Sequence, residues 1–172
     1  PIKAIEKGIA YVSEDRKGNG LILSESIGEN ITIASLDKVS KLGILDELKQ
    51  ALNAEKYVKD LQVKTPSIFQ NVVNLSGGNQ QKVQLGKWLF AEPNILILDE
   101  PTRGIDVGSK FEIYTIMNRL IEQGMSILLI SSELPEVLGM CDRIYVLAEG
   151  VQTAEFTRDE ANAEKIMAKA TL

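Results

Sequence analysis

The stretch "LSGGNQQK", Leu75 to Lys82, sets a serine and two glycines ahead of a run of amides and a lysine, with no carboxylate among them. A helix whose first turn carries Ser76, Gly77 and Gly78 points backbone N–H groups, the positive end of its dipole and a hydroxyl at one spot. The glycines let an anion come close, so the chemistry on offer is reception of a phosphate. The plainer alternative is a glycine-rich turn with Ser76 as its N-cap. A second group lies in "NILILDEP", where four apolar residues run into Asp99, Glu100 and Pro101. The carboxyl ends of strands are where α/β sheets place their ligands. In nucleotide hydrolysis the first of two such acids holds Mg2+, directly or through water, and the second orients and deprotonates the attacking water.

The elements around these groups alternate. "IAYV", Ile9 to Val12, reads as a short buried strand and is followed by the polar loop "SEDRKGNG", Ser13 to Gly20. Helical spacing covers Ile27 to Ser35 and Leu45 to Leu61, and "KTPS" at Lys64 to Ser67 breaks it. A helix is expected from Ser76 to about Phe90, then a central parallel strand ending at Asp99. Val107 to Glu122 is the clearest helix, with Val107, Phe111, Tyr114, Met117 and Ile121 on one face and Gly124 just beyond. "SILLIS" and "RIYVL" read as strands, Leu134 to Leu138 as a short helix and "GVQTAEF" as a hairpin partner. Thr157 with Glu160 forms a capping-box pair expected to open the last helix. Strand, helix, strand, helix, strand implies a parallel α/β sheet with the helical middle as an inserted lobe.

Composition narrows the partners. The 172 residues are 44% hydrophobic, enough for one domain with a proper core, and carry a net charge of -5. No broad cationic footprint for nucleic acid is present. One cysteine, Cys141, cannot make an internal disulfide, and the absence of histidine removes the usual zinc frameworks, which fits a reducing cytosol. The longest apolar runs, Ile95 to Leu98 and Ile127 to Ile130, fall far short of the ~20 residues that span a bilayer. The chain begins at Pro1 without a methionine, and natural sequence is expected upstream.

"LSGGNQQKV" followed by "NILILDEPTRGIDVGSK" and "LLISSELPEVLGMCDRIYVLAEG" resembles the ATP-binding cassette (ABC) family, in particular the ATPase subunits of ribose- and galactose-type sugar importers. "GIAYVSEDRKGNGL" is similar to the second cassette of those two-cassette proteins. The resemblance implies an α/β cassette core over 1–24 and 91–156, a helical lobe carrying the signature over 25–90 and a C-terminal helix over 157–172. It also implies that two cassettes close head to tail on two ATPs. Ser76, Gly77, Gly78 and Asn79 would then be the signature that meets the γ-phosphate of an ATP held by the partner, with Asn79 where many relatives have glutamine. Asp99 would be the Mg2+ acid, Glu100 the catalytic base and Asp106 part of the loop that crosses to the partner. Asp106 also suits a plain N-cap.

Three departures from the family pattern stand out. No G-x-x-x-x-G-K-S/T occurs in the 172 residues, so the loop that cradles the β- and γ-phosphates is missing. Glu14 stands where the family commonly has a glutamine touching both magnesium and the membrane partner; a carboxylate still binds the ion but donates no hydrogen bond. Ser132 stands where many relatives carry the switch histidine, and lacks its length and cationic form. Helix capping is the plainer role for Ser132. The parent protein is expected at the cytoplasmic face of the inner membrane, bound through transmembrane permease subunits and served indirectly by a sugar-binding protein. Two other readings remain open: a signature-bearing fragment inactive alone, and a DNA-repair ATPase of the same superfamily, which lacks support from coiled coils or basic surfaces. Without its first strands and phosphate-loop helix, the core is expected to leave an open sheet edge and to self-associate.

Overall fold

A computed structural model of the chain describes residues 2–171. It divides into two compact units, Pro1–Leu128 and Leu129–Leu172.

The first unit opens with a short helix, α1 (Ile2–Glu6), and strand β1 (Ile9–Val12). Asp15 caps a single tight turn over Arg16–Gly20, its carboxylate accepting from the Gly18 N–H at 2.9 Å. The helical lobe follows. Ser26 and Glu29 form a full capping box that starts α2 (Ile27–Thr32). The sequence pattern carries helix to Ser35, but the α-helix stops at Thr32 and continues as 3-10 turns through Val39, with Ser35 itself non-helical at φ -151° and ψ 59°. The cause is local: the Thr32 hydroxyl donates back to the Gly28 carbonyl at 3.0 Å within a run of β-branched residues, and such back-bonding bends helices.

A hairpin that the periodicity gave no sign of comes next, β2 (Ser40–Lys41) and β3 (Ile44–Leu45), antiparallel. Its turn is Leu42-Gly43, both left-handed at φ 53° and 79°. Leucine in that conformation carries none of the usual turn signal. The helix expected from Leu45 therefore starts later, as α3 (Glu47–Asp60), capped by Asp46, which accepts from the Lys49 N–H. Helix α4 (Gly77–Leu89) lies against α2, and Gly86 makes that approach possible: a Cβ there would stand 3.2 Å from Leu61 and 3.4 Å from Ile31. Ile27, Ile31, Ala54, Val83 and Leu85, all fully buried, form the core of the lobe.

Strand β4 (Ile95–Asp99) pairs in parallel with β1, from Ile9 opposite Ile95 to Val12 opposite Leu98. The strand order is β1-β4-β5, with β5 at Ser126–Ile130. Helix α5 (Val107–Glu122) keeps its expected bounds, with Asp106 as N-cap and Gly124 at φ 92° just past its end. Its buried face differs from the expected one. Ile113, Ile116, Met117 and Leu120 are buried, whereas Val107, Phe111 and Ile121 are 83%, 72% and 42% exposed. Apolar residues wrap more than one side of this helix, so two stripes compete, and the stripe at i, i+3, i+4, i+7 is the one that is covered.

In the second unit α6 (Leu134–Met140) precedes an antiparallel pair, β6 (Arg143–Ala148) and β7 (Val151–Thr157), with a register shift after Val146. β6 pairs with β7 in a sheet of its own and does not continue the parallel alternation. Ile144, Val146 and Ile166 form its small core. The capping box expected of Thr157 and Glu160 is only half made: the Thr157 N–H and hydroxyl both donate to Glu160 Oε2, at 3.0 and 2.7 Å, while the Glu160 N–H donates to the Thr157 carbonyl, and these bonds close a turn. The last helix, α7 (Ala163–Ala170), opens at Asn162, whose extended backbone and side-chain bond to the Lys165 N–H define the cap. Among the described residues, no helix is long and apolar enough to cross a membrane.

Candidate functional site

The Ser76 turn is built as its sequence suggested. Ser76 has extended backbone angles and is exposed; its hydroxyl accepts from Asn79 Nδ2 at 3.0 Å and, at the limit of a hydrogen bond, from the Asn79 N–H at 3.5 Å. Asn79 is pinned in turn, its carbonyl oxygen accepting from the Lys64 N–H at 2.8 Å. The first turn of α4 carries no acid, so the positive end of the helix is not neutralised there. Gly78 is obligatory for packing: a Cβ would stand 2.3 Å from the Ser109 hydroxyl and 2.6 Å from its Cβ. Asp106 holds that same serine, accepting from its N–H at 2.9 Å and its hydroxyl at 2.7 Å, and those two bonds hold the Asp106 carboxyl below the usual carboxylate range. The structure thus brings Ser76–Asn79 and Asp106 together through Ser109.

Behind this turn, α4 is buried on a polar face. Gln80, Gln81, Lys82 and Gln84 are all buried. Gln80 donates to the Val72 carbonyl, Lys82 to that of Gln62, Gln84 to that of Ser13 and Lys87 to that of Gly20. The carbonyls of Gln62, Ser13 and Gly20 lie in irregular backbone that needs a donor, whereas that of Val72 also accepts from the Leu75 N–H. Burial lowers the Lys87 pKa. A Cβ on Gly20 would lie 2.4 Å from the Gln84 amide nitrogen, so a side chain there requires the Gln84 amide to move. Lys82 is also paired with Glu112 at 2.7 Å, and this hydrogen bond draws the Glu112 pKa down.

Loop 13–20 faces the turn that follows β4. Arg103 pairs with Glu14, and Arg16 donates to the Arg103 carbonyl at 2.9 Å and to Gln81 Oε1 at 3.3 Å. Burial lowers the Arg16 pKa. An open cleft of about 300 Å³ is lined by Glu14, Asp15, Arg16, Lys17 and Arg103. These two arginines and Ser109 were not singled out from sequence; the charged runs "EDRK" and "PTRG" held the only available sign of them.

Asp99 ends β4, and its carboxylate accepts from the Tyr11 hydroxyl of the neighbouring strand at 2.5 Å. That bond, with burial and the negative charge, raises the Tyr11 pKa. Glu100 is left-handed at φ 47°, a conformation that costs a non-glycine residue roughly 1–3 kcal/mol and concentrates at functional sites. Ser132 lies in the second unit between β5 and α6. The capping expected of it is not made: Glu133 is the N-cap of α6, which has no side-chain cap bond, and the Ser131 hydroxyl accepts from the Glu133 N–H at 3.0 Å in the turn before it. Among the described residues no three or more acids, cysteines or histidines gather as a metal cage. Mg2+ does not require one, because it is held by one or two carboxylates together with water and substrate phosphates, and Asp99 suits that mode. Glu14 is committed to Arg103, so a metal there requires that pair to open.

The ABC transporter family model matches residues 1–103. Over 165 residues the chain is 62% identical to the L-arabinose transport ATP-binding protein AraG of Geobacillus stearothermophilus, a match covering 96% of this chain and 32% of that protein. It is 56% identical to the xylose import ATP-binding protein XylG of Thermoanaerobacter pseudethanolicus, over 99% of this chain and 34% of the relative. The ribose import ATP-binding protein RbsA of Clostridium perfringens is 54% identical over 95% of this chain and 33% of its own length. The chain spans about a third of the length of these relatives. Among solved structures, a nucleotide-free ATP-binding cassette from an ABC transporter superposes with a TM-score of 0.77 at 22% identity, over 98% of this chain and 67% of that one.

Proposed function

This chain belongs to the ABC transporter family, and from that premise we propose that it is part of the ATP-binding subunit of a sugar importer, supplying the signature half of an ATP site shared with a second cassette. The observation that carries the reading is the start of α4: an exposed Ser76 cap with Gly77 and Gly78 behind it, an unneutralised positive helix end, and the Asp106 loop locked beside it through Ser109. Such an end receives a phosphate. The relatives' names, which speak of arabinose, xylose and ribose, support a carbohydrate as the cargo class.

In this reading Ser76, Gly77, Gly78 and Asn79 bind the γ-phosphate of an ATP seated on the partner cassette. Mg2+ supplies charge neutralisation to the phosphates, held by Asp99, directly or through water, with Glu14 as a further ligand once Arg103 releases it. Glu100 orients water and takes its proton. Asp106 crosses to the partner cassette, and Ser132 occupies the switch position. The parent protein couples ATP hydrolysis to sugar uptake at the cytoplasmic face of the inner membrane, attached to transmembrane permease subunits and receiving sugar by way of a binding protein. The chain alone is a signature-bearing piece that is inactive without a phosphate loop.

Ser76→Asp separates receptor from cap, since aspartate is as good an N-cap and suits the positive helix end. In the full-length subunit with its membrane partner, the variant is expected to keep its stability within about 1 kcal/mol and to retain ATP binding. Hydrolysis and uptake should fall sharply, because the new carboxylate meets the γ-phosphate in a closed site. Parental transport and hydrolysis would reduce this turn to a structural cap.

A further inference from the structure

Arg16 joins three segments: the loop that carries Glu14, the turn before Asp106 and the helix that Ser76 caps. Its Nη1 donates to the Arg103 carbonyl at 2.9 Å and to Gln81 Oε1 at 3.3 Å. Its Nη2 lies beside two glycines at once, 3.6 Å from where a Cβ on Gly77 would stand and 3.7 Å from one on Gly104. Arg103 returns the link by pairing its own guanidinium with Glu14. Residues 14–16 are therefore fastened twice to the turn at 103–104, and from there Asp106 and Ser109 continue the connection to Gly78.

This arrangement has a cost. Arg16 Nε is buried without a hydrogen-bond partner, as is Gln81 Nε2. A buried unsatisfied donor is destabilising, and a lysine at 16 would leave no guanidinium nitrogen stranded. What arginine provides is a rigid planar group whose Nη1 serves two acceptors while its Nη2 is held beside two glycines.

We propose that Arg16 is a positioning residue: it fixes the spacing between the Asp106 turn and the start of α4, so that both meet the partner's nucleotide as one unit and shift together with the loop bearing Glu14. The proposal rests on the reading that Ser76 to Gly78 receive a γ-phosphate. It assigns Arg16 no contact with the nucleotide. Its loss therefore acts on the rate of the closed state and not on the affinity for ATP, since displacements near 1 Å cost catalysis heavily.

The test uses the full-length subunit assembled with its membrane partner and compares Arg16→Lys, Gln81→Leu, their double variant and Ser76→Asp. For Arg16→Lys, kcat for ATP is expected to fall about tenfold or more with KM within about twofold of the parent. Gln81→Leu should fall in the same direction by about threefold, and the double variant should be no worse than Arg16→Lys, because both cut one link. A purely structural arginine would lower Tm and leave kcat per folded molecule intact, and an arginine touching phosphate would raise KM; either result overturns the proposal, as does parental kcat. Should Arg16→Lys fail to fold, Gln81→Leu decides, and parental kcat there is equally fatal. With Ser76→Asp inactive and Arg16→Lys at parental kcat, only the positioning role falls. Parental hydrolysis in Ser76→Asp removes the receptor reading, and this proposal with it.

Discussion

Glu112→Gln removes the charge that answers a buried ammonium while nearly preserving side-chain shape. Lys82 is 1% exposed, and its Nζ sits 2.7 Å from Glu112 and 2.9 Å from the Gln62 carbonyl. Lys64 approaches the other carboxylate oxygen at 3.5 Å. At an effective dielectric of about 20, two unit charges this close attract by ~6 kcal/mol, and removing one partner of a buried pair costs ~3–5 kcal/mol. Two features reduce that here. The Glu112 side chain keeps 35% of its exposure, so water screens the pair, and a glutamine carbonyl still accepts from Lys82. The expected loss is ~2 kcal/mol, or about 4–8 °C in Tm for a chain of this size. The Glu112 pKa is depressed in the folded protein, so its contribution is complete above the unfolded-state value and is lost as pH falls through the lower folded value. Urea unfolding should therefore separate parent from variant at neutral pH and bring them together in acid. Equal midpoints at neutral pH, or a gap that persists undiminished in acid, would refute the account of this pair.

Two further outcomes follow from the geometry. Gly78→Ala places a methyl 2.6 Å from the Ser109 Cβ, an atom that side-chain rotation cannot move, so α4 and α5 must part at a cost of ~1–3 kcal/mol; unfolding titrations should show this, with part of the loss recovered when Ser109→Gly is added. The isolated 172-residue chain should show no measurable ATPase activity and at best roughly millimolar affinity for Mg-ATP, because phosphate loops supply most of the backbone donors to a nucleotide; calorimetry giving micromolar binding would contradict this.

What could be read from sequence was what local rules determine. The bounds of α5 were legible because Asp106 and Gly124 punctuate it, and β4 because an apolar run ends in acid and proline. The hairpin at 40–45 was not, since the first turn position is a left-handed Leu42 and a lone Gly43 beside two-residue strands is too weak a signal. The start of α7 was misplaced because the Thr157–Glu160 pair, which has the sequence of a capping box, closes a turn five residues before the helix cap at Asn162.

Helix α4 shows the deeper limit. From sequence Ser76 to Asn79 are expected to receive a ligand and the amides and lysines beyond them have no assigned role; in the structure Ser76 is open, and Gln80, Gln81, Lys82 and Gln84 are inside. No periodicity rule buries such residues, because their partners lie far away along the chain: Gln84 reaches Ser13 and Lys87 reaches Gly20. The physical reason is a demand set by those partners. Loop 13–20 and the segment at Gln62 present carbonyls that regular secondary structure does not satisfy, and a buried carbonyl without a donor costs more than a buried amide that supplies one. A helix packed against strands or other helices can be apolar on its inner face; one packed against irregular backbone must carry donors there. The polarity of α4 thus follows from the loops it supports, and among them is the loop that carries Glu14 and Arg16 to the start of the same helix.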